Sequence, residues 1–294
     1  MNDITEPNIE FTLFDTHCHL NFQAFKKLEE TVINNAHTSG IKYILVPGTD
    51  IPTAKKAIKI AQGHDDIYAA VGIHPHHIYG YHKENSKDKY ELLKNDLIAI
   101  ERLLTSKKVV AVGEVGIDRY YYRDTKYSTY EIDEEFVILQ KLALARQIQF
   151  AIKYDKSLIL HNRLAKVDLL NVLSENWDEK LMSKTVFHCC EPDEELLSFA
   201  IDHKISIGVD GDITFSKKKK QFVKKIPLEL LVLETDSPYL TPRPMRDDET
   251  TKWPNTPSNL PLIAEYIADT LEIDIIKLKK DTTENALRLF GIVS

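Results

Sequence analysis

Two histidines one residue apart, His17 and His19 in FDTHCHL, are the first feature of the chain that can do chemistry. Alternate residues of an extended segment point to the same face, so both imidazoles can address one cation. Further along stand Glu114 and Asp118 in AVGEVGID, His161 and Arg163 in LILHNR, His188 in TVFHCC, and Glu234 and Asp236 in LVLETDSP. Each group begins within three residues of a short apolar run. An isolated histidine at a strand end is ordinarily a capping residue or a hydrogen-bonded core residue. Several imidazoles and carboxylates gathered in one place need partners, and a cation supplies them. The set His17, His19, Glu114, His161, His188 and Asp236 offers more ligands than one tetrahedral Zn²⁺ takes. Two divalent ions are therefore expected. Glu114 is the natural bridge because a carboxylate has two oxygens. His17, His19 and Asp236 would hold one ion, His161 and His188 the other. Imidazole suits Zn²⁺, Mn²⁺ or Fe²⁺ and carboxylates also admit Mg²⁺, which leaves the metal open. Cys18, Cys189 and Cys190 adjoin the ligands and read as packing residues.

The elements that must position these groups follow from hydrophobic periodicity. The apolar runs Phe11–Phe14, Tyr43–Val46, Ile67–Val71, Val109–Val112, Leu158–Leu160, Thr185–Phe187, Ile205–Ile207 and Leu230–Leu233 suit strands buried on both faces, as in a parallel sheet. Between them, Phe22–His37, Ile51–Gln62, Lys89–Leu104, Glu134–Tyr154, Ala165–Asn176, Asp193–His203 and Pro257–Thr270 carry apolar residues at helical spacing. Eight strands alternating with helices predict an α/β fold, a (β/α)₈ TIM-type barrel. The polar groups then converge on the C-terminal mouth of the strands, where such barrels keep their chemistry. An open doubly wound sheet is the competing architecture, but no GxGxxG follows the first strand. The stretch from His74 to Lys87 reads as a long loop over one face. The tail beyond Thr270, with DTTENALRLFG, reads as a helix packed outside the barrel. No linker divides the chain, so residues 1–294 are expected to form one domain.

Composition narrows the functional class. The 294 residues are 43% hydrophobic and 28% charged, which describes a globular chain with a sizeable core. No apolar run approaches the length of a spanning helix. The start, MNDITEPNIEF, is acidic and polar, unlike a secretory or transit peptide. Three cysteines are too few for a disulfide framework, so a reducing, cytoplasmic setting is expected. The net charge of −7 disfavours loose binding along duplex DNA but is compatible with an enzyme that draws one strand end into a metal site.

The motifs FDTHCHLNF, VGIHPH, GEVGID, LILHNR, ETDSPYL and ENALRLFG, in that order, resemble the TatD family of metal-dependent deoxyribonucleases within the amidohydrolase-like barrels. The resemblance spans about Phe14 to Gly291. It implies metal ligands at His17, His19, Glu114, His161, His188 and Asp236, two divalent ions, and hydrolysis of DNA phosphodiesters, often from a 3′ end. It also places His74 and His76 near the mouth as contacts to substrate or leaving group. Three segments depart from the family pattern. HNRLA has Leu164 where HxRDA has an acid, and HCCEP has Glu191 where HCFSG has a small residue. PRPMRDDETTKWPNTP replaces a Gly-Lys pair with Asp247 and Asp248 and adds residues. These changes spare the ligands and alter the rim.

The expected reaction is in-line hydrolysis of a phosphodiester by activated water, on single-stranded DNA or a 3′ end. Asp236 is the candidate general base and Glu114 the second catalytic group. Arg163 and Arg246, and less directly Arg243, can fork phosphate oxygens. Tyr120, with Tyr121 and Tyr122, can stack a base or cap a helix. The basic run Lys217–Lys220, with Lys224 and Lys225, can track a backbone or form a solvated helix face. Two other readings stay open: hydrolysis of an ester or amide, such as an aminoacyl-RNA ester, in the same barrel, or a component of a larger assembly.

Overall fold

A computed structural model of the protein describes residues 12–83, 88–127 and 129–293. Phe11 of the first predicted strand and residues 84–87 of the predicted loop lie outside them. The described residues contain eight parallel strands in sequential order. They are β1 (Leu13–Asp15), β2 (Ile41–Pro47), β3 (Ile67–Val71), β4 (Val109–Asp118), β5 (Ser157–Arg163), β6 (Thr185–Phe187), β7 (Ser206–Val209) and β8 (Leu231–Leu233). The ends of the sheet meet. Thr16 N–H donates to Leu233 O, Asp236 N–H to His17 O and His19 N–H to Ser237 O, at 3.1, 2.9 and 2.7 Å. The fold is therefore the TIM-type barrel that the sequence predicts.

The helices follow the strands: α1 (Glu29–Thr38), α2 (Ile51–Gln62), α3 (Pro75–His82), α4 (Lys89–Leu103), α5 (Glu134–Tyr154), α6 (Lys166–Asn176), α7 (Glu194–His203), α8 (Lys217–Val223), α9 (Leu260–Leu271) and α10 (Ile275–Phe290). Local chemistry sets their limits. Asp50 accepts from Thr53 N–H in a capping box that starts α2. Ala54, Ala57, Ile58 and Ala61 then bury one stripe of that helix against the sheet. Asp193 caps α7 by accepting from Glu195 and Leu196 N–H.

The structure differs from expectation in four places. The helix expected over Phe22–His37 breaks at Lys27, whose φ of 67° is left-handed, into a 3-10 turn and α1. The expected loop after β3 contains α3, started by His74 and Pro75. Strand β4 continues to Asp118 after a register shift between Val112 and Val115, so Glu114 and Asp118 stand within a strand. Helix α10 is more than an outer helix. Its Leu287 and Phe290 join Phe14, Ile159, Val186 and Val232 in one buried cluster that plugs the N-terminal end of the barrel. Ser157 Oγ and Thr283 Oγ1 fix it there by donating to Leu289 O and Thr12 O at 2.6 and 2.9 Å.

Candidate metal centre

The first pair of histidines rides on a locked seam. Asp15 accepts from His17 N–H and from both Thr235 N–H and Thr235 Oγ1, at 3.3, 3.0 and 2.6 Å. Burial pushes its carboxyl up to about 7. Cys18 is fully buried between the imidazoles and faces away from them into the core. The two Nε2 atoms of His17 and His19 face each other at 3.2 Å. Both lie near Glu114 Oε2, at 3.4 and 3.6 Å, and near Asp236 Oδ1, at 3.9 and 3.6 Å.

The other oxygen of Glu114 faces a different set. Oε1 lies 2.8 Å from His161 Nδ1, 3.4 Å from His74 Nε2 and 3.7 Å from His188 Nε2. Glu114 thus stands between two groups of imidazoles, one per oxygen. Burial works against its charge, but His74, His17 and His161 outweigh that and hold its carboxyl well below the usual range. Burial lowers His17, and lowers His19 further, keeping both rings neutral with lone pairs to give. Burial also drives Asp236 well above the ordinary carboxylate range, where His188 opposes the rise and Glu114 adds to it.

These residues fit a divalent cation. Imidazoles and carboxylates converge, and the neutral rings of His17 and His19 turn Nε2 toward both Glu114 Oε2 and Asp236 Oδ1. Three donor groups each have ligand atoms within 4.8 Å of one another: His17, His19 and Asp236; His74, Glu114 and His161; and His17, His188 and Glu234. The expected partition paired His161 with His188. Both rings approach Glu114 Oε1; His161 also lies beside His74, and His188 stacks on His17, centroids 4.4 and 3.5 Å apart.

Two carboxylates named in the strand-end pattern but given no role stand behind histidines. Asp118 Oδ2 lies 3.1 Å from His161 Nε2. Glu234 Oε1 lies 3.1 Å from His188 Nδ1, out of line for a hydrogen bond, and accepts Cys189 N–H at 2.5 Å. Burial opposes charge on both rings, yet these carboxylates and Glu114 raise His161 to about 9 and His188 to about 10. Such a contact fixes ring orientation at a metal site. Gly208 makes room for Glu234, since a Cβ there would meet its carboxylate at 2.5 Å. Sequence spacing shows that Glu234 and Asp236 share a strand face, but not which of them touches a ring.

The family model described as TatD related DNase matches residues 14–291. The chain belongs to that family. It is 34% identical over 282 residues to the uncharacterized metal-dependent hydrolase YabD of Bacillus subtilis, covering 95% of this chain and 99% of YabD. It is 31% identical over 285 residues to the 3′-5′ ssDNA/RNA exonuclease TatD of Pantoea ananatis, covering 96% and all of that protein. The crystal structure of YjjV, a TatD homologue from Escherichia coli, matches with a TM-score of 0.80 at 25% identity over 97% of this chain and 100% of that one. The protein is thus a TatD-family metal-dependent hydrolase. Among its described residues no helix is long and apolar enough to cross a membrane.

The rim of this TatD-family barrel carries the other candidate residues. Arg163 lies over the Tyr120 ring, 3.7 Å from its centroid, and donates to Tyr122 Oη at 3.1 Å. Tyr122 in turn donates to Asp118 Oδ2 at 2.7 Å, so the arginine is tied back to His161. His74 Nδ1 accepts His76 N–H at 3.1 Å, which puts the proton of its neutral ring on Nε2, toward Glu114. His76 packs instead among Tyr122, Tyr127 and Tyr130, with Nε2 at 3.0 Å from Thr125 Oγ1, and burial lowers it to about 4. Arg246 covers the Phe215 ring at 4.1 Å, and Arg243 pairs with Asp247 at 3.0 Å.

Two departures from the family pattern meet in space. Glu191 accepts from Asn162 Nδ2 at 2.9 Å and from Leu164 N–H at 3.4 Å. A carboxylate from the β6 loop therefore braces the β5 loop in which Leu164 replaces the expected acid. The basic run is mixed. Lys217 and Lys218 are exposed, but Lys219 is buried and donates to Cys190 O at 2.7 Å.

Proposed function

We propose that this TatD-family hydrolase cleaves phosphodiester bonds at the ends of single-stranded nucleic acid, DNA in the first place, as a 3′-5′ exonuclease using two divalent metal ions. The observation that carries this reading is Glu114, whose two oxygens face two separate groups of imidazoles inside the mouth. The name of the Pantoea relative, an exonuclease acting on single-stranded DNA and RNA, points the same way.

His17, His19 and Asp236 would hold one ion, and His161 and His188, both facing Glu114 Oε1, the other, with Glu114 shared. When bound, the ions supply Lewis-acid activation of water and neutralise phosphate charge. Asp236, whose Oδ1 lies 3.9 and 3.6 Å from the Nε2 atoms of His17 and His19, would take the proton from water as general base once a cation holds it ionised. Arg163, held flat by Tyr120, offers its fork to a phosphate oxygen. His74 Nε2–H, aimed at the same space, is a contact for the leaving oxygen, and Arg246 extends the positive rim on the β8 side. An end-labelled single strand incubated with Mg²⁺, Mn²⁺ or Zn²⁺ tests the reading, with duplex DNA, RNA and a chromogenic ester alongside. A ladder from the 3′ end is expected. Hydrolysis of the ester without cleavage of any strand would overturn it.

A further inference from the structure

Beside the metal ligands on the β8 side runs a line of rings that neither the ligand cluster nor the arginines use. Phe22 stacks on His19, centroids 4.1 Å apart and planes 15° from parallel. Tyr239 meets Phe22 edge-on at 6.4 Å, and Trp253 meets Tyr239 at 5.7 Å. The line runs from a mouth histidine out to solvent, where Tyr239 is 47% and Trp253 54% exposed. Single exposed apolar residues are ordinary on a surface, but a contiguous line that starts at the reactive centre is not.

The loop bearing the outer rings is anchored. Asn255, fully buried, donates to Thr235 O and Tyr239 O at 3.0 and 2.7 Å. Its own N–H donates to Pro238 O at 3.0 Å. Thr241 Oγ1 donates to Lys252 O at 2.6 Å. These bonds hold the backbone on both sides of Trp253 while its side chain stays in water. The cost of displaying two large rings is thus met by a braced backbone, so the faces are ready without reordering. Trp253 also sits in the lengthened PRPMRDDETTKWPNTP loop that sets this chain apart from the family pattern.

Apart from Arg246, which lies over Phe215, the cations of the loop are paired. Arg243 pairs with Asp247, and Lys252 with Glu249. What such a surface recognises is a planar π face next to a group bound at the metal centre, and every nucleobase has one. A phosphate seated among His17, His19 and Asp236 would place its neighbouring nucleotides along this line. We infer that Tyr239 and Trp253, backed by Phe22, form a stacking platform for the bases that adjoin the scissile phosphate of a single strand. The inference rests on the nuclease reading above.

The test is binding of a labelled, cleavage-resistant phosphorothioate single strand to the metal-loaded protein, with KM for the unmodified strand measured in parallel. Both strands are also made with abasic positions near the 3′ end. Trp253→Ala and Tyr239→Ala should each weaken binding about tenfold, and Trp253→Phe by no more than about threefold. Abasic positions should weaken binding to the wild-type protein, and weaken it less in Trp253→Ala, where Tyr239 alone remains to stack. Unchanged thermal unfolding shows that each variant is folded. The platform is overturned if the alanine variants bind like wild type, or if the abasic penalty is the same with and without Trp253. Those results, with cleavage intact, leave the nuclease reading standing. A wild-type protein that binds no single strand would sink both.

Discussion

The two ends of the barrel are equally buried and chemically opposite. At the N-terminal end Phe14 packs on Tyr43 and on Phe290, ring centroids 5.4 and 5.6 Å apart, with Val232 and Leu287 filling the same cluster. At the C-terminal end His17, Glu114 and His188 are 0, 3 and 5% exposed, yet they are polar, and ring nitrogens among them lack partners. Burial alone therefore says nothing about role. Apolar burial at the lower end stabilises the fold outright. Polar burial at the upper end costs free energy that the contacts within the cluster return only in part, since ring nitrogens there lack partners. The lower end is built for stability and the upper for binding a charge, as expected of this barrel class.

The largest effect should come from removing the group that joins the two donor sets at the mouth. Glu114→Ala should lower turnover by at least about 10⁴-fold and release metal, while the melting temperature stays near wild type. Turnover, metal content and thermal unfolding measured on one preparation check this. Near-normal turnover with full metal content would show that Glu114 is no bridge. Asp236→Asn should come next, with kcat reduced by about 10²–10⁴ and strand binding little changed. Asn keeps the shape and one metal-facing oxygen but cannot take a proton. Single-turnover cleavage beside equilibrium binding separates the two effects. Collapse of binding with an unchanged rate on bound strand would make Asp236 a positioning residue.

The opposite end should respond in the opposite way. Phe290→Ala removes a ring from the plug and should destabilise the protein by about 3–5 kcal/mol. Turnover per folded molecule and metal affinity should not move. Denaturant unfolding and metal titration measure the two separately. A parallel loss of metal affinity would mean that the two ends are one cooperative unit.

Much of this division is legible in the sequence, for a physical reason. Strands buried on both faces are apolar runs, so the first polar residues after them mark the mouth, as His161 and His188 do. Other parts are not legible. The apolar run read from the sequence stops at Val112, yet β4 runs on through the glycines of AVGEVGID because Val115–Asp118 pair with β5 after a register shift. Helix α3 is hidden because PHHIYGYH has no clear apolar stripe. The periodicity of α10 announces a buried face but not that its last turn enters the barrel end. Composition marks Asp118 and Glu234 as polar mouth residues, whereas only geometry shows that they sit behind His161 and His188.

The smallest effect concerns salt, and it separates charge from stacking at the mouth itself. Part of the positive charge near the rim is compensated. Arg243 and Lys252 are paired, Lys225 pairs with Glu194, and Lys219 is buried with its ammonium on Asp212. Lys217 and Lys218 are exposed. Arg163 and one further cation are the expected phosphate contacts, and a single strand loses roughly 0.7 in logarithmic slope per contact. Two contacts give a slope of about −1.4, so raising salt from about 50 to about 200 mM should weaken binding only about sevenfold. Arg163→Ala should make the slope shallower by about 0.7, because one phosphate contact is gone. Trp253→Ala should lower affinity at every salt concentration and leave the slope alone, because a stacked base releases no counterion. Binding of the labelled strand across a salt series, for all three proteins, reads the slopes directly. A wild-type slope matching six or more contacts would bring Lys217 and Lys218 into the binding track. A slope that Trp253→Ala flattens would mean that the loop after β8 binds through charge and not through its rings.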